Sequence, residues 1–206
     1  MALEREDIEW CQFRWNNTQD DKLPRVLLIG DSIVGGFWEK VAQKLDGKVN
    51  IAFLATSKCV GDVDYERELK YAVTGYKWSL VYFNNGLHGF SATEKEYAKG
   101  LKKTVKKLLK MVGKTPVIWR TSTPITVAGR PEELDAEKNA RVLERNRLAA
   151  KIAKKFDLPT DDLYEVLVNH PEYSCGDGYH YNDDGKNVQA EHVAGTIRKA
   201  LKLKKK

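Results

Sequence analysis

The run Arg25-Val26-Leu27-Leu28-Ile29-Gly30-Asp31-Ser32-Ile33-Val34-Gly35-Gly36 constrains the fold of this chain more than any other stretch. Four consecutive large apolar residues without polar alternation, bounded by Pro24 and Gly30, read as a short strand buried on both faces. Such strands belong to parallel sheets covered by helices on each side. The residues after Gly30 read as a helix start, so Ser32 stands at a strand-to-helix corner. There a hydroxyl projects beyond the carboxyl end of the sheet, and the first free amides of the helix face whatever it attacks. Taken alone, Gly30-Asp31-Ser32 reads equally as an ordinary helix cap.

The same alternation continues downstream. Phe37, Trp38, Val41 and Leu45 recur at helical spacing up to Gly47, and Val49 to Leu54 forms a second apolar run. Further strands are predicted at Ser79 to Phe83, Pro116 to Arg120 and around Leu158 to Leu163. Helices are predicted around Tyr65 to Val73, after a Ser91-Ala92-Thr93-Glu94 capping box, from Glu132 to Phe156, and from Lys186 to Leu201. The expected architecture is a three-layer α/β/α sandwich, flavodoxin-like, with a mostly parallel five-stranded sheet and a site at the carboxyl ends of its strands. The 206 residues carry no Pro/Gly/Ser-rich linker, and we expect residues 1–206 to form one domain. Residues 1–22 contain Ile8, Trp10, Phe13 and Trp15, too many aromatic groups for a disordered leader. They read as an arm packed on the domain, or as one whose tryptophans reach the site rim as stacking surfaces for a sugar.

Composition narrows the partners. The net charge of +6 lies in amphipathic helices and in the tail from Leu201 to Lys206, where a solvated face accounts for it. With no nucleic-acid motif and no interleaved basic and aromatic stripe, no nucleic-acid partner is expected. No apolar stretch approaches 18 residues, and the charged start Met1 to Asp7 lacks a signal-peptide pattern. The expectation is a soluble chain without a membrane partner, cytoplasmic as given or exported with its signal removed; its oligomeric state is left open. Cys11, Cys59 and Cys175 cannot all pair and lack zinc spacing, so free thiols are expected, with one bridge open to an exported protein.

Far downstream, Asp177-Gly178-Tyr179-His180 places an acid and a base three residues apart just ahead of the last helix. With Gly30-Asp31-Ser32, this pattern resembles the first and last blocks of the SGNH (GDSL-type) hydrolases, and the resemblance runs from about Pro24 to the final helix. It implies that Ser32 is a nucleophile, His180 its base and Asp177 the acid that orients the imidazole. It further implies an oxyanion hole formed by the amides of Ser32 and Gly61 and by a side chain from a third block, Gly-x-Asn-Asp. Gly61 also reads as a plain turn glycine. Here the third block is Asn84-Asn85-Gly86-Leu87-His88-Gly89, and alignment on Gly86 puts His88 where the asparagine stands. An imidazole N–H can donate to an oxyanion if that nitrogen carries a proton. Alternatively Asn85 completes the hole and His88 binds substrate, or His88 is structural.

No cofactor and no metal are expected, because the acids and amides of residues 175–185 lack the spacing of a Ca²⁺ loop and serve more simply to cap the final helix. The long segment from Thr121 to Pro131 is the expected source of acyl or sugar selectivity. Asn139, Arg141, Arg145, Asn146 and Arg147 read as a surface network, His170 as structural, and His192 as a packed or exposed bystander. The resemblance points to an ester hydrolase acting on an acetyl ester of a carbohydrate. The alternatives are a lipid or thioester acyl hydrolase, or a carbohydrate-binding module with a degenerate site.

Overall fold

A computed structural model describes residues 5–203; the first four residues of the arm and the last three lysines of the tail lie outside them. The elements in order are β1 (Cys11–Trp15), β2 (Arg25–Gly30), α1 (Ser32–Lys44), β3 (Asn50–Thr56), α2 (Val63–Thr74), β4 (Leu80–Phe83), α3 (Glu94–Val112), β5 (Val117–Arg120), β6 (Thr126–Val127), β7 (Arg130–Leu134), α4 (Ala136–Lys155), β8 (Thr160–Asp161), α5 (Leu163–Leu167) and α6 (Asp183–Ala200). The main sheet has the order β1-β3-β2-β4-β5-β8, parallel throughout except for β1. From β2 the chain steps to β3 on one side and then to β4 on the other. The strand order therefore reverses at β2, and the crevice such a reversal opens at the carboxyl ends lies directly beyond Gly30.

Both faces of β2 are buried, as its lack of alternation requires. Val26 and Leu28 pack with Phe37 and Val41 of α1 and Val193 and Ile197 of α6. Leu27 and Ile29 pack with Leu69 of α2, Leu101 and Val105 of α3, and Ile152 of α4. The result is the expected three-layer α/β/α sandwich.

Several details differ from the sequence reading. The sheet has six strands, because residues 11–15 of the arm pair antiparallel with β3 as an edge strand instead of merely lying on the domain. The helix expected from Glu132 begins at Ala136, because Arg130–Leu134 is spent on a small hairpin with β6 and Asp135 then caps the helix amides of Glu137 and Lys138. The capping box is formed by Thr93 and Glu96, which leaves Glu94 free to bind Arg141. Among the described residues no helix is long and apolar enough to cross a membrane.

Candidate active site

Ser32 is the first residue of α1, and the turn that presents it is tight. The Asp31 carboxylate caps the helix by accepting from the Ile33 amide at 3.0 Å. A Cβ on Gly30 would stand 2.6 Å from a Val34 methyl, so glycine allows the helix to leave the strand this closely.

Across 148 positions of sequence, His180 Nε2 lies 2.8 Å from Ser32 Oγ. Its Nδ1 lies 2.6 Å from Asp177 Oδ2, while Asp177 Oδ1 accepts the amides of Tyr179 and His180, both at 2.8 Å. The three-residue spacing thus lets one carboxylate fold its own loop and hold the ring. Burial works to raise the Asp177 pKa, but the amides and the ring together hold it well below the usual carboxylate range. The ionised acid only accepts, so Nδ1 carries the proton. In the neutral ring Nε2 is then a bare acceptor facing the serine hydroxyl.

The loop holding Asp177 and His180 is braced from outside. Thr126 donates its amide to Gly178 at 2.9 Å and Gly129 to Gly176 at 2.8 Å. Gly178 has φ 91°, and a Cβ there would meet the Thr126 carbonyl oxygen at 2.6 Å. Part of the segment read as a selectivity loop is therefore a hairpin whose backbone supports the acid-base loop.

Ser32 and His180 open onto a cleft also lined by Trp10, Gln12, Gly35, Ala55 and His88. Trp10 is pinned by its backbone, donating to Ser57 Oγ at 3.0 Å and accepting from the Ser57 amide at 3.1 Å. Its indole meets the His88 ring edge-on, with centroids 6.0 Å apart. The other ring nitrogen contact is distant in sequence: Glu6 Oε1 lies 2.6 Å from His88 Nδ1. Of the residues weighed for the oxyanion, Ser32 and His88 line the cleft, whereas Asn85 and Gly61 do not. Asn85 is buried, accepting the Val60 amide at 3.1 Å and donating to the Lys58 carbonyl at 2.8 Å. It clamps the loop that carries Gly61, whose amide nitrogen packs against Gly100 of α3.

The residues read as a surface network are in fact largely internal braces of this region. Arg145 is buried and donates to the carbonyls of Gly86, His88 and Gly89 at 2.8 to 2.9 Å, its guanidinium lying over the rings of Phe90 and Tyr97. Arg141 holds the carbonyls of Phe90 and Ala92, Asn146 clamps Ser122 through its amide and carbonyl, and buried Asn139 accepts the Ile125 amide. Only Arg147 behaves as read, pairing with Glu144 at the surface. His170 pairs with Glu172 and stacks on Tyr173, and His192 binds Asp161. All three cysteines are free, and burial pushes the Cys59 thiol up to about 11, away from reactivity. Asn182 caps α6 through the Gly185 amide, and among the described residues no three His, Cys, Asp or Glu side chains gather as metal ligands would.

No protein-family model matches the sequence, and no curated protein matches it. Solved structures do. A carbohydrate acetylesterase from Sinorhizobium meliloti superposes with a TM-score of 0.69 at 17% identity, covering 85% of this chain and 99% of its own. A lipase/acylhydrolase from Enterococcus faecalis gives 0.68 at 20% identity, covering 89% and 99%. An acetyl xylan esterase gives 0.67 at 17% identity, covering 84% and 99%. The chain has the fold these proteins share, as its resemblance to the SGNH hydrolases implied.

Proposed function

We propose that this chain is a serine esterase that removes acetyl or other short acyl groups from a carbohydrate through an acyl-enzyme. The observation that carries the reading is the continuous Asp177–His180–Ser32 relay, 2.6 and 2.8 Å long, at the strand-order reversal of the sheet. In the proposed reaction Ser32 Oγ attacks the ester carbonyl while its proton passes to His180 Nε2. Asp177 stabilises the imidazolium and keeps the proton on Nδ1. The tetrahedral oxyanion is held by the amide of Ser32 at the first turn of α1. His180 returns the proton to the departing alkoxide, and a water deprotonated by the same nitrogen then hydrolyses the acyl-serine. Each proton has a protein donor or acceptor, so these steps call on no cofactor.

Two features support a short acyl group on a polar alcohol. The cleft is walled by Trp10, Gln12 and His88, an aromatic and polar lining unlike that of a channel for a fatty chain. Two of the solved structures sharing the fold are named as a carbohydrate acetylesterase and an acetyl xylan esterase. The intact relay distances also speak against a degenerate binding module. The test is acetate release from an acetylated xylo-oligosaccharide, alongside nitrophenyl esters of increasing chain length. Acetyl esters should be the best substrates, and Ser32→Ala should abolish turnover. Preference for long chains would favour lipid esters, and full activity in Ser32→Ala would remove the enzymatic reading.

A further inference from the structure

A second carboxylate–imidazole pair borders the cleft that holds Ser32: His88 lines the cleft, and Glu6 binds it from outside that lining. The Glu6 carboxylate, 2.6 Å from His88 Nδ1, accepts from that nitrogen, so Nδ1 carries the ring proton. In the neutral ring Nε2 is then a lone-pair acceptor, the opposite of what an oxyanion needs. The arrangement is anchored. Arg5, beside Glu6, binds Asp62 at 3.0 Å and Asp64 at 2.7 Å; Glu9 reaches Lys58 at 3.4 Å; and the Trp10 backbone is bonded to Ser57. Glu6 is thus held between fixed neighbours, and the Trp10 indole packs against the His88 ring at close to a right angle.

We infer that His88, with its tautomer fixed by Glu6, accepts a hydrogen bond from a free hydroxyl on the alcohol portion of the substrate and thereby selects polyhydroxylated esters. This rests on the esterase reading above. The argument is one of complementarity: an acetyl group offers no hydrogen-bond donor, so an acceptor in this cleft finds its partner only on the alcohol side. The Trp10 ring beside it gives the apolar face of a sugar a surface to lie on. His88 is then a specificity residue in contact with substrate. Glu6 is a positioning residue that acts through it.

The test uses two esters: a methyl xyloside carrying one acetyl group with the neighbouring hydroxyl free, and the same ester with that hydroxyl methylated. The parent should favour the free hydroxyl by about tenfold in kcat/KM, the worth of one partly exposed hydrogen bond. His88→Ala and Glu6→Ala should bring that ratio towards one, chiefly through KM for the hydroxylated ester. Glu6→Gln should retain most of the preference, because the amide oxygen can still accept from Nδ1. A parent that hydrolyses both esters equally would overturn the inference and leave the esterase reading standing. Equal losses on both esters in His88→Ala, carried by kcat, would also overturn it and return His88 to oxyanion donation. If the folded parent releases acetate from neither ester, the esterase reading falls and takes this inference with it.

Discussion

Ser32, His180 and Asp177 are joined by two short hydrogen bonds, so their contributions should not multiply. His180→Ala should be about as damaging as Ser32→Ala, and the double variant no worse than either, since each single loss already dismantles the unit. Asp177→Asn should cost less than either, because it removes the charge and leaves a side chain of the same shape. Multiplicative losses in the double variant, read from kcat on one acetyl ester, would separate the two residues. This pair was legible in the sequence for a local reason: an acid and a base three residues apart in a loop, and a glycine-acid-serine run at a strand end. Glu6 was not legible. Its contact with His88 spans 82 positions and exists only because the arm folds back against the third block. The choice between His88 and Asn85 was open for the same reason, since the bonds that occupy Asn85 come from the Lys58 to Val60 loop, which only the tertiary fold brings near.

Elements were legible where burial dictates pattern and illegible where it does not. The parallel strands announce themselves as unbroken apolar runs. β1 is an edge strand, exposed at three of its five residues, and mixes charge with aromatic side chains, so its pairing left no clean period. The β6–β7 hairpin is short, and its residues passed for the end of the long loop and, from Glu132, for the start of α4. That hairpin yields a prediction: Gly178→Ala forces a side chain against the Thr126 carbonyl at a φ of 91°, so it should displace the acid-base loop. We expect kcat to fall at least about tenfold, which a misplacement of a few tenths of an ångström can cause, while the thermal midpoint changes modestly. Activity equal to the parent would show that the hairpin does not fix His180. Arg145→Met tests the other brace. It frees three carbonyls that the guanidinium now satisfies, and a loss of roughly 3 kcal/mol in unfolding free energy is expected by denaturant titration. A loss under about 1 kcal/mol would mean that the third block keeps its shape without it.

Across the whole molecule, the edge of the sheet and the last helix are tied by one proton-linked cluster. Asp161 of β8 accepts from Tyr82 of β4, from His192 at 3.0 Å and from Thr196 at 2.7 Å, the last two on α6. The hydrogen bond to Asp161 raises the His192 pKa above the ordinary 6.5, against a smaller opposing effect of burial. Burial pushes the Asp161 carboxyl up, but its bonds to His192, Tyr82 and Thr196 bring it below the ordinary range. The signs differ for the two groups. A raised histidine contributes stability that is fully present below its unfolded value and is lost as pH rises through its folded value. A depressed carboxyl contributes stability that is present above its unfolded value and is lost as pH falls through its folded value. Stability from this cluster should therefore form a plateau on the acidic side of neutrality, falling away above the ordinary histidine range and again in strong acid. His192→Gln keeps a donor for Asp161 without a titrating proton, so it isolates the upper limb. Relative to the parent it should be less stable near pH 5.5 by about 1 kcal/mol, or 2 to 4 °C in Tm, and the gap should close by pH 9. Melting curves of both proteins across that range decide the matter, and a gap that stays constant with pH would show that the pair holds the sheet edge to α6 without linking it to a proton.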